Sequence, residues 1–305
     1  MSTIKDYFDY VKKYEAQYGP KTVVLMQVGG FFEVYGLKNL ITDEITGSAI
    51  VEFTQACDFA MSNKKSSGHF IDDVEYAVLM AGFPEWSCDK WFERLPTYGF
   101  TCIVIRQEKQ GKKIVRDVDV ILSPGTYFYE SQKTLSNNIM SIKLYYRNAT
   151  QRVPYPRIIV GISVVDVLTG DNFFYEYTQE YIHNPSSFDI AEKYYSIFQP
   201  NELLLIYDPE VFSSNKAKEI ASFIGASGDE IRFIENNASI KHDTSKQVHL
   251  FEKQTYQIEW IQQIFAPTDV HSFLDSTMLS DNYMAMENHT FLLHFVYTHN
   301  RDLVS

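Results

Sequence analysis

The sequence predicts an α/β protein of two domains with mixed sheets, and three observations support this fold class. The 305 residues leave room for two domains of about 150 residues each. Hydrophobic residues make up 45% of the chain, which is typical of a globular protein and argues against disorder. Runs of aliphatic and β-branched residues, such as TVVLMQV, alternate with segments whose apolar residues recur every three or four positions. Strands and helices are therefore interleaved along the chain.

The first predicted domain covers residues 1–130 and opens with an amphipathic helix over 3–18. Gly19 and Pro20 end this helix, and a strand over 22–28 follows. The stretch QVGGFFEVYG then continues or bends the strand, because paired glycines mark a bulge or a close approach to another molecule. The remaining predictions are a hairpin at 38–48, helices at 51–60 and 87–98, the second with Ser87 as its N-cap, and strands at 76–82, 100–107 and 118–122.

The second predicted domain, residues 131–270, begins with three successive strands at 139–147, 158–170 and 171–178. A helix at 186–198 leads to the almost wholly apolar strand ELLLIYD, a composition that indicates burial on both faces in a parallel pairing. Hairpin strands, a helix and a central parallel strand follow one another in this order in ribonuclease H-like folds. From 271 to 305 the sequence predicts a helical segment without a cap or a partner, which we expect to be the truncated start of a further domain.

The charge of the chain restricts its partners. A net charge of −12 argues against a protein that holds nucleic acid mainly through bulk electrostatics, although local basic patches remain compatible with it. One such patch is the segment RQEKQGKKIVR, which reads as a hairpin or a loop. Its candidate phosphate contacts are Arg106, Lys109, Lys112 and Lys113. A solvated turn explains the same residues equally well.

Cysteines and histidines show no pattern of a metal site. Cys57, Cys88 and Cys102 are odd in number and widely spaced, which predicts free, buried thiols. His294 and His299 are five residues apart, whereas two ligands on one helix face need a spacing of three or four. We therefore expect solvated or capping histidines and no bound metal.

The chain carries no predicted membrane segment. No apolar run reaches the roughly 18 residues that a membrane span needs. The first residues, MSTIKDYFDYVKKYE, mix charges with aromatic rings and do not resemble a signal peptide. The sequence therefore predicts an intracellular protein.

Five short motifs together resemble the MutS family of DNA mismatch-recognition proteins. GGFFE at 29–33 is similar to the family's G-D-F-Y-E motif, and MAGFP at 80–84 is similar to its MAGIP. SPGTYF at 123–128 resembles the TPGT near the end of the mismatch-binding domain. SNN at 136–138 resembles the link to the connector domain, and QPNELLLI at 199–206 resembles a connector strand. The order and spacing of the motifs make coincidence improbable.

The resemblance extends over essentially the whole chain and implies its domain organisation. Residues 1–130 would form the mismatch-binding domain I, residues 131–270 the ribonuclease H-like connector, and residues 271–305 the beginning of a helical lever or core domain. The variants QVGGFFEVYGLKN and LSPGTYFYE are most similar to the branch carried by giant viruses and octocoral mitochondria, so a viral or organellar context is compatible with the sequence. The implied function is binding of mismatched double-stranded DNA in DNA mismatch repair.

The resemblance also implies roles for individual residues. By position, Phe31 would enter the minor groove as a wedge, and Glu33 would hydrogen-bond the displaced base. Gly29 and Gly30 would allow the close backbone approach. Gly30 and Phe32 replace an acidic residue and a tyrosine of the family motif, so the roles of those two side chains do not transfer. Strand alternation predicts that Phe32 points into the core while Phe31 and Glu33 share the other face.

An enzyme is the alternative reading of the second domain. A ribonuclease H-like nuclease holds two divalent metal ions with carboxylates on neighbouring strands and a helix, and Asp166, Glu192 and Asp208 fall at roughly such positions. Turn formation and helix solvation explain the same three residues without a metal, and this explanation is the stronger one.

The cofactors and partners follow from the resemblance. No G-x-x-x-x-G-K-[ST] loop occurs in the 305 residues, so we expect no enzyme activity and no cofactor in this chain, with ATP and Mg²⁺ bound only by an ATPase domain that it lacks. The expected partner is mismatched double-stranded DNA. A MutS-like dimer partner or a separate ATPase subunit is a further possibility.

Overall fold

A computed structural model describes residues 3–64, 69–71, 74–110, 113–127, 136–228, 230–236 and 248–299. The chain divides into two compact units between Tyr127 and Phe128. Each unit is built on one sheet with helices packed against it. The α/β class with mixed sheets, predicted from the sequence, is confirmed.

The first unit contains one mixed sheet. Its strands lie in the order β4-β6-β2-β1-β7-β8, with β3 paired to β2 and β5 paired to β6. Among these strands, β1 and β7 are parallel and the other pairs are antiparallel. The strands are β1 (Thr22–Val28), β2 (Phe31–Asn39), β3 (Ile45–Thr46), β4 (Ser62–Asn63), β5 (His69–Ile71), β6 (Val74–Pro84), β7 (Thr101–Gln110) and β8 (Lys113–Leu122). The helices are α1 (Thr3–Tyr18), α2 (Ile50–Cys57) and α3 (Cys88–Thr97).

Helices pack against both faces of this sheet. The predicted apolar face of α1 is buried, and its Tyr7 ring meets Tyr35 of β2 edge-on at 4.9 Å. On the opposite face, Phe32 of β2 meets Phe92 of α3 edge-on at 5.3 Å. Aromatic side chains thus pack on both faces of β2. This packing determines which face of the sheet each side chain of the strand occupies.

Two sequence expectations for this unit have different outcomes. The three cysteines are free and buried, as predicted. Ser87 does not cap α3 with its side chain, because its hydroxyl donates to the carbonyl of Pro84 at 2.9 Å. The helix itself begins at Cys88, as expected, directly after a 3₁₀ turn over Glu85–Ser87.

The second unit contains a five-stranded sheet in the order β11-β10-β9-β12-β13. The first three strands form antiparallel hairpins, whereas β12 pairs in parallel with β9 and β13. The predicted parallel placement of ELLLIYD is confirmed, and every residue of β12 is buried. The strands are β9 (Asn138–Arg147), β10 (Arg157–Asp166), β11 (Asn172–Glu180), β12 (Glu202–Tyr207) and β13 (Ile231–Glu235). The helices are α4 (Asp189–Phe198), α5 (Ser214–Phe223), α6 (Gln254–Phe265), α7 (Val270–Ser276) and α8 (Tyr283–His299).

Helix α8 lies against strands β9, β10 and β11 within the second unit. The sequence expectation that this segment has no partner is wrong, because almost every residue of α8 is buried. The helix approaches the sheet closely at Gly161, where a Cβ atom would stand 2.7 Å from the carbonyl oxygen of Met284. His294 and His299, expected to be solvated or capping, are buried in this helix.

A row of polar contacts joins α8 to the sheet. Lys143 of β9 forms a buried ion pair with Glu287. Asn288 donates to the carbonyls of Ser141, at 2.7 Å, and Gly161, at 3.0 Å. These bonds satisfy polar side chains that would otherwise be buried at a cost of about 1–3 kcal/mol each. The helix is therefore positioned by specific polar contacts as well as by apolar packing.

Candidate nucleic-acid interface

The candidate site lies at the tip of the β1–β2 hairpin. Val28 and Phe31 face each other as the last strand pair, and the two-residue loop between them is Gly29–Gly30. Gly29 has a φ of +62°, a conformation that residues with side chains rarely adopt. A Cβ atom at Gly30 would meet no other atom within 4 Å, so the folded chain itself leaves free space there. Gly30 therefore exposes its backbone at the tip, and packing within the folded chain does not require a glycine there.

Successive side chains of β2 point to opposite faces, as the sequence predicted. Phe31 is 53% exposed, whereas the next residue, Phe32, is fully buried. Phe32 packs against Phe83 and Phe92, so it anchors the strand in the core. Glu33 returns to the face of Phe31, with its side chain 15% exposed. Strand β2 thus exposes the Phe31 ring to solvent, while the adjacent Phe32 holds the strand in the core.

The hairpin tip is held from both sides. The side-chain amide of Gln107 accepts a bond from the Gly29 N–H at 3.3 Å and donates to the Gly29 carbonyl at 3.1 Å. On the other side, the Glu85 N–H donates to the Gly30 carbonyl at 2.8 Å. Arg116 donates from Nε to the carbonyl of Gln27 at 3.2 Å. These contacts from three separate segments fix the backbone that carries Phe31.

The Glu33 carboxylate has partners that the sequence did not reveal. Lys64 Nζ lies 2.6 Å from Glu33 Oε2, and the Tyr35 hydroxyl donates to the same oxygen. Burial and the hydrogen bond to Glu33 raise the pKa of Tyr35, so this hydroxyl stays protonated and remains a donor. Within the described residues, Oε1 of Glu33 keeps its lone pairs available. Strand alternation could have placed Tyr35 beside Glu33, but Lys64 arrives from 31 residues away.

The predicted basic patch is a hairpin, β7–β8, and its residues differ in their availability. Arg106 is engaged within the protein, because its Nε lies 2.7 Å from Asp119 Oδ2 and its Nη1 lies 3.6 Å from Glu85 Oε1. Arg106 stays a predicted phosphate contact, but in the DNA-free protein its guanidinium already has two carboxylate partners. Lys109 is exposed on β7. Lys113 opens β8, and Lys112 lies outside the described residues.

The three carboxylates of the nuclease alternative do not meet. Asp166 pairs with Asn138 at the start of β9, and the parallel register brings the end of β12 level with Lys143, in the middle of β9. Asp208 follows β12, so at least five residues of strand, roughly 17 Å, separate it from Asp166. Two catalytic metal ions lie only about 4 Å apart. Glu192 is exposed on α4, and within the described residues these carboxylates form no group of three that could hold a metal ion, so the alternative nuclease reading gains no support.

The described part of the chain shows neither a metal site nor a membrane-spanning helix. Within these residues, His, Cys, Asp and Glu side chains form no group of three that could hold a metal ion. The described helices include none with the length and apolar character needed to cross a membrane.

Comparison with known proteins identifies the unit that carries this hairpin. The family model "MutS domain I" matches residues 5–131. A DNA mismatch repair protein mutS homologue of Acanthamoeba polyphaga mimivirus is 24% identical over 224 residues, which cover 72% of this chain and 19% of the relative. The DNA mismatch repair proteins MutS of Parabacteroides distasonis and Thermodesulfovibrio yellowstonii are 27% and 29% identical, each over 66% of this chain and 19% of the relative.

The match places the hairpin within domain I, because Gly29, Phe31 and Glu33 all fall inside residues 5–131. The chain spans about a fifth of the length of the curated relatives that it matches. The similarity to these MutS relatives extends beyond domain I, since each aligned segment exceeds 200 residues. The chain is therefore similar to MutS proteins over these segments, and residues 5–131 match their domain I.

Proposed function

We propose that this chain binds mismatched double-stranded DNA by inserting Phe31 into the minor groove. The observation that carries the proposal is the exposed Phe31 ring on a fixed glycine hairpin of MutS domain I. The names of the relatives, which are DNA mismatch repair proteins, support the same assignment. An apolar wedge must partly unstack a base step, and unstacking costs least where pairing is already defective.

Selectivity in this mechanism comes from the DNA. A duplex bends and opens more readily at a mismatch than at paired bases, so inserting the same wedge there costs less energy of DNA deformation. Because Phe31 makes no sequence-specific hydrogen bond, many types of mismatch can be accepted. The fixed tip also ensures that the duplex, and not the protein, must deform.

Glu33 is proposed to accept a hydrogen bond from the displaced base. A lone carboxylate would be repelled by the phosphates, but the ion pair with Lys64 offsets its charge. Lys64 and Tyr35 both bind Oε2, so the other oxygen can face the base. Glu33 would thereby orient the base that Phe31 displaces.

Replacing Phe31 with alanine tests the wedge. Base–aromatic stacking contributes about 1–3 kcal/mol per base, so we expect Phe31→Ala to weaken binding of a G·T heteroduplex about five- to 150-fold. Binding of the matched homoduplex should change little, because the wedge is not inserted there. Fluorescence anisotropy of labelled duplexes, titrated with the full chain at fixed salt, measures both affinities.

The control for this experiment is Tyr98→Ala, which removes another exposed aromatic ring of the same unit. Circular dichroism checks that both variants are folded. If Phe31→Ala binds the heteroduplex as tightly as the parent chain, the wedge assignment is wrong. An equal loss in Tyr98→Ala would show that the effect is not specific to the hairpin tip.

Replacing Glu33 with glutamine tests the base contact separately. The amide keeps an acceptor but loses the negative charge, so repulsion by the phosphates falls for every duplex. We expect Glu33→Gln to bind the homoduplex about two- to tenfold more tightly and to lose part of its preference for the heteroduplex. Glu44→Gln, at an exposed position of the same unit, is the matched control for charge alone. Equal changes in the two variants would refute a specific role for Glu33.

The second unit is proposed to be the connector domain of the family, with a ribonuclease H-like fold and no catalytic role. Three antiparallel strands followed by a parallel pairing of β12 with β9 support the fold. The wide separation of Asp166 from Asp208 supports a non-catalytic role. Absence of Mg²⁺- or Mn²⁺-dependent nicking of DNA is the expected result, whereas nicking that Asp166→Asn abolishes would contradict it.

A further inference from the structure

Trp86 is the most exposed large side chain near the hairpin tip. It is 86% exposed, whereas Trp91, five residues further along, is buried among aromatic rings. Tryptophan carries a large apolar surface and one N–H donor, and it is enriched where proteins meet partners through a surface that is apolar on one side and polar on the other. The Trp86 ring contributes little to the packing of the first unit, so its apolar surface is available to a binding partner.

The position of Trp86 is tied to that of Phe31. Trp86 lies in the 3₁₀ turn that follows β6, and Pro84, the last residue of β6, is the strand partner of Phe31. The Glu85 N–H holds the Gly30 carbonyl at 2.8 Å, and Glu85 Oε1 accepts a bond from Gln27 at 2.9 Å. The turn and the hairpin tip are therefore one rigid piece of backbone at one end of the sheet.

Local charge permits DNA to reach this turn. Glu85 would repel phosphates, but Arg106 lies 3.6 Å from its carboxylate and offsets that charge. A tryptophan ring can pack on a deoxyribose while its indole N–H donates to a phosphate oxygen. The duplex beside the Phe31 insertion point supplies both groups.

Resting on the proposed function, we propose that Trp86 packs against the sugar–phosphate backbone beside the base step that Phe31 opens. Two rings carried by one rigid piece of backbone would both contact DNA most easily on a duplex that is bent around the inserted Phe31. A mismatched duplex reaches that shape at lower energy than a paired one. Trp86 is thus a specificity-determining contact, because it adds affinity mainly for DNA that is already bent by the wedge.

Alanine and phenylalanine variants of Trp86 test the contact in the full chain. With labelled G·T heteroduplex and matched homoduplex, we expect Trp86→Ala to lose about five- to twentyfold in heteroduplex affinity and less than about twofold in homoduplex affinity. Trp86→Phe keeps a flat apolar ring and should retain most of the affinity. Trp86→Ala with the affinity of the parent chain for both duplexes overturns the inference.

Tryptophan fluorescence provides a second, independent readout. Acrylamide quenching should fall when heteroduplex saturates the parent chain, and the fall should be absent in Trp86→Phe, because Trp86 is the exposed tryptophan that DNA would cover. Unchanged quenching of the parent chain at saturation overturns the inference. If the parent chain does not prefer heteroduplex at all, the proposed function itself fails; if the preference is lost in Phe31→Ala but kept in Trp86→Ala, the Trp86 contact alone fails.

Discussion

Replacing Lys143 with methionine is expected to destabilise the second unit by about 3–5 kcal/mol at pH 7, because it leaves the Glu287 carboxylate buried without its counter-charge. The side chains of Lys143 and Glu287 are only 4% and 3% exposed. Burial raises the pKa of Glu287, while the attraction of Lys143 acts in the opposite direction. The ion pair with Lys143 therefore favours the charged form of this buried carboxylate of α8.

Urea unfolding at pH 7, followed by the fluorescence of Trp260 with Trp86 and Trp91 replaced by phenylalanine in every chain compared, measures this loss. Lys218→Met makes the same chemical change at an exposed position of α5 and should shift the free energy of unfolding by less than about 0.5 kcal/mol. The double variant Lys143→Met/Glu287→Leu removes both charges and should recover most of the stability. A single variant as stable as the parent chain would show that the pair does not hold α8.

The pH dependence of the Lys143→Met variant provides an internal check. A protonated Glu287 needs no counter-charge, so the difference in stability between variant and parent should shrink as the pH falls. A difference that stays constant between pH 7 and pH 5 would mean that the lost methylene packing of Lys143, and not its charge, causes the effect.

The second large effect is a loss of stability on acidification. Burial lowers the pKa of His289, His294 and His299 to about 4. The unfolded chain, with a histidine pKa near 6.5, therefore binds more protons than the folded chain between pH 6.5 and pH 4. Stability is fully present above this window and falls as the pH falls through it. From pH 7 to pH 5 the expected loss is about 2 kcal/mol for each histidine, or about 6 kcal/mol in total.

Replacing His294 with phenylalanine isolates one third of this effect. The ring of His294 lies among Trp260 and Phe251, and within the described residues its Nδ1 has no hydrogen-bond partner. We expect His294→Phe to lose about 2 kcal/mol less than the parent chain between pH 7 and pH 5, measured by urea unfolding at both pH values.

The raised pKa of Glu287 works against the histidines, because the folded chain there takes up a proton at higher pH than the unfolded chain. The contribution of Glu287 is the same in the parent chain and in His294→Phe. The difference between their losses of stability on acidification therefore still reports the titration of His294. Identical losses of stability in both chains on acidification would refute the assignment.

Much of the fold could be predicted from the sequence, because local patterns determine it. Alternation along β2 predicted the buried Phe32 between the outward Phe31 and Glu33. The wholly apolar composition of ELLLIYD predicted a central strand with a parallel neighbour. In both cases the information lies within a few residues of the feature that it predicts.

The partners of charged groups could not be predicted, because they arrive from distant segments. Arg106 pairs with Asp119, which a bulge in β8 turns toward it, and with Glu85 after β6. Lys64 reaches Glu33 only once β4 has paired with β6. The histidines of α8 were misassigned because a helix buried on all sides lacks the polar face by which sequence patterns identify solvated residues.

The bonds from Gln107 and Glu85 to the glycine loop also have a kinetic consequence. Since the backbone of the tip is ordered before DNA arrives, insertion of Phe31 in the proposed complex requires little loss of conformational entropy from the protein. The slow event in recognition is then the opening of the base step, whose frequency is a property of the duplex. A protein with such a preformed tip distinguishes mismatches in its rate of productive association as well as in its rate of release.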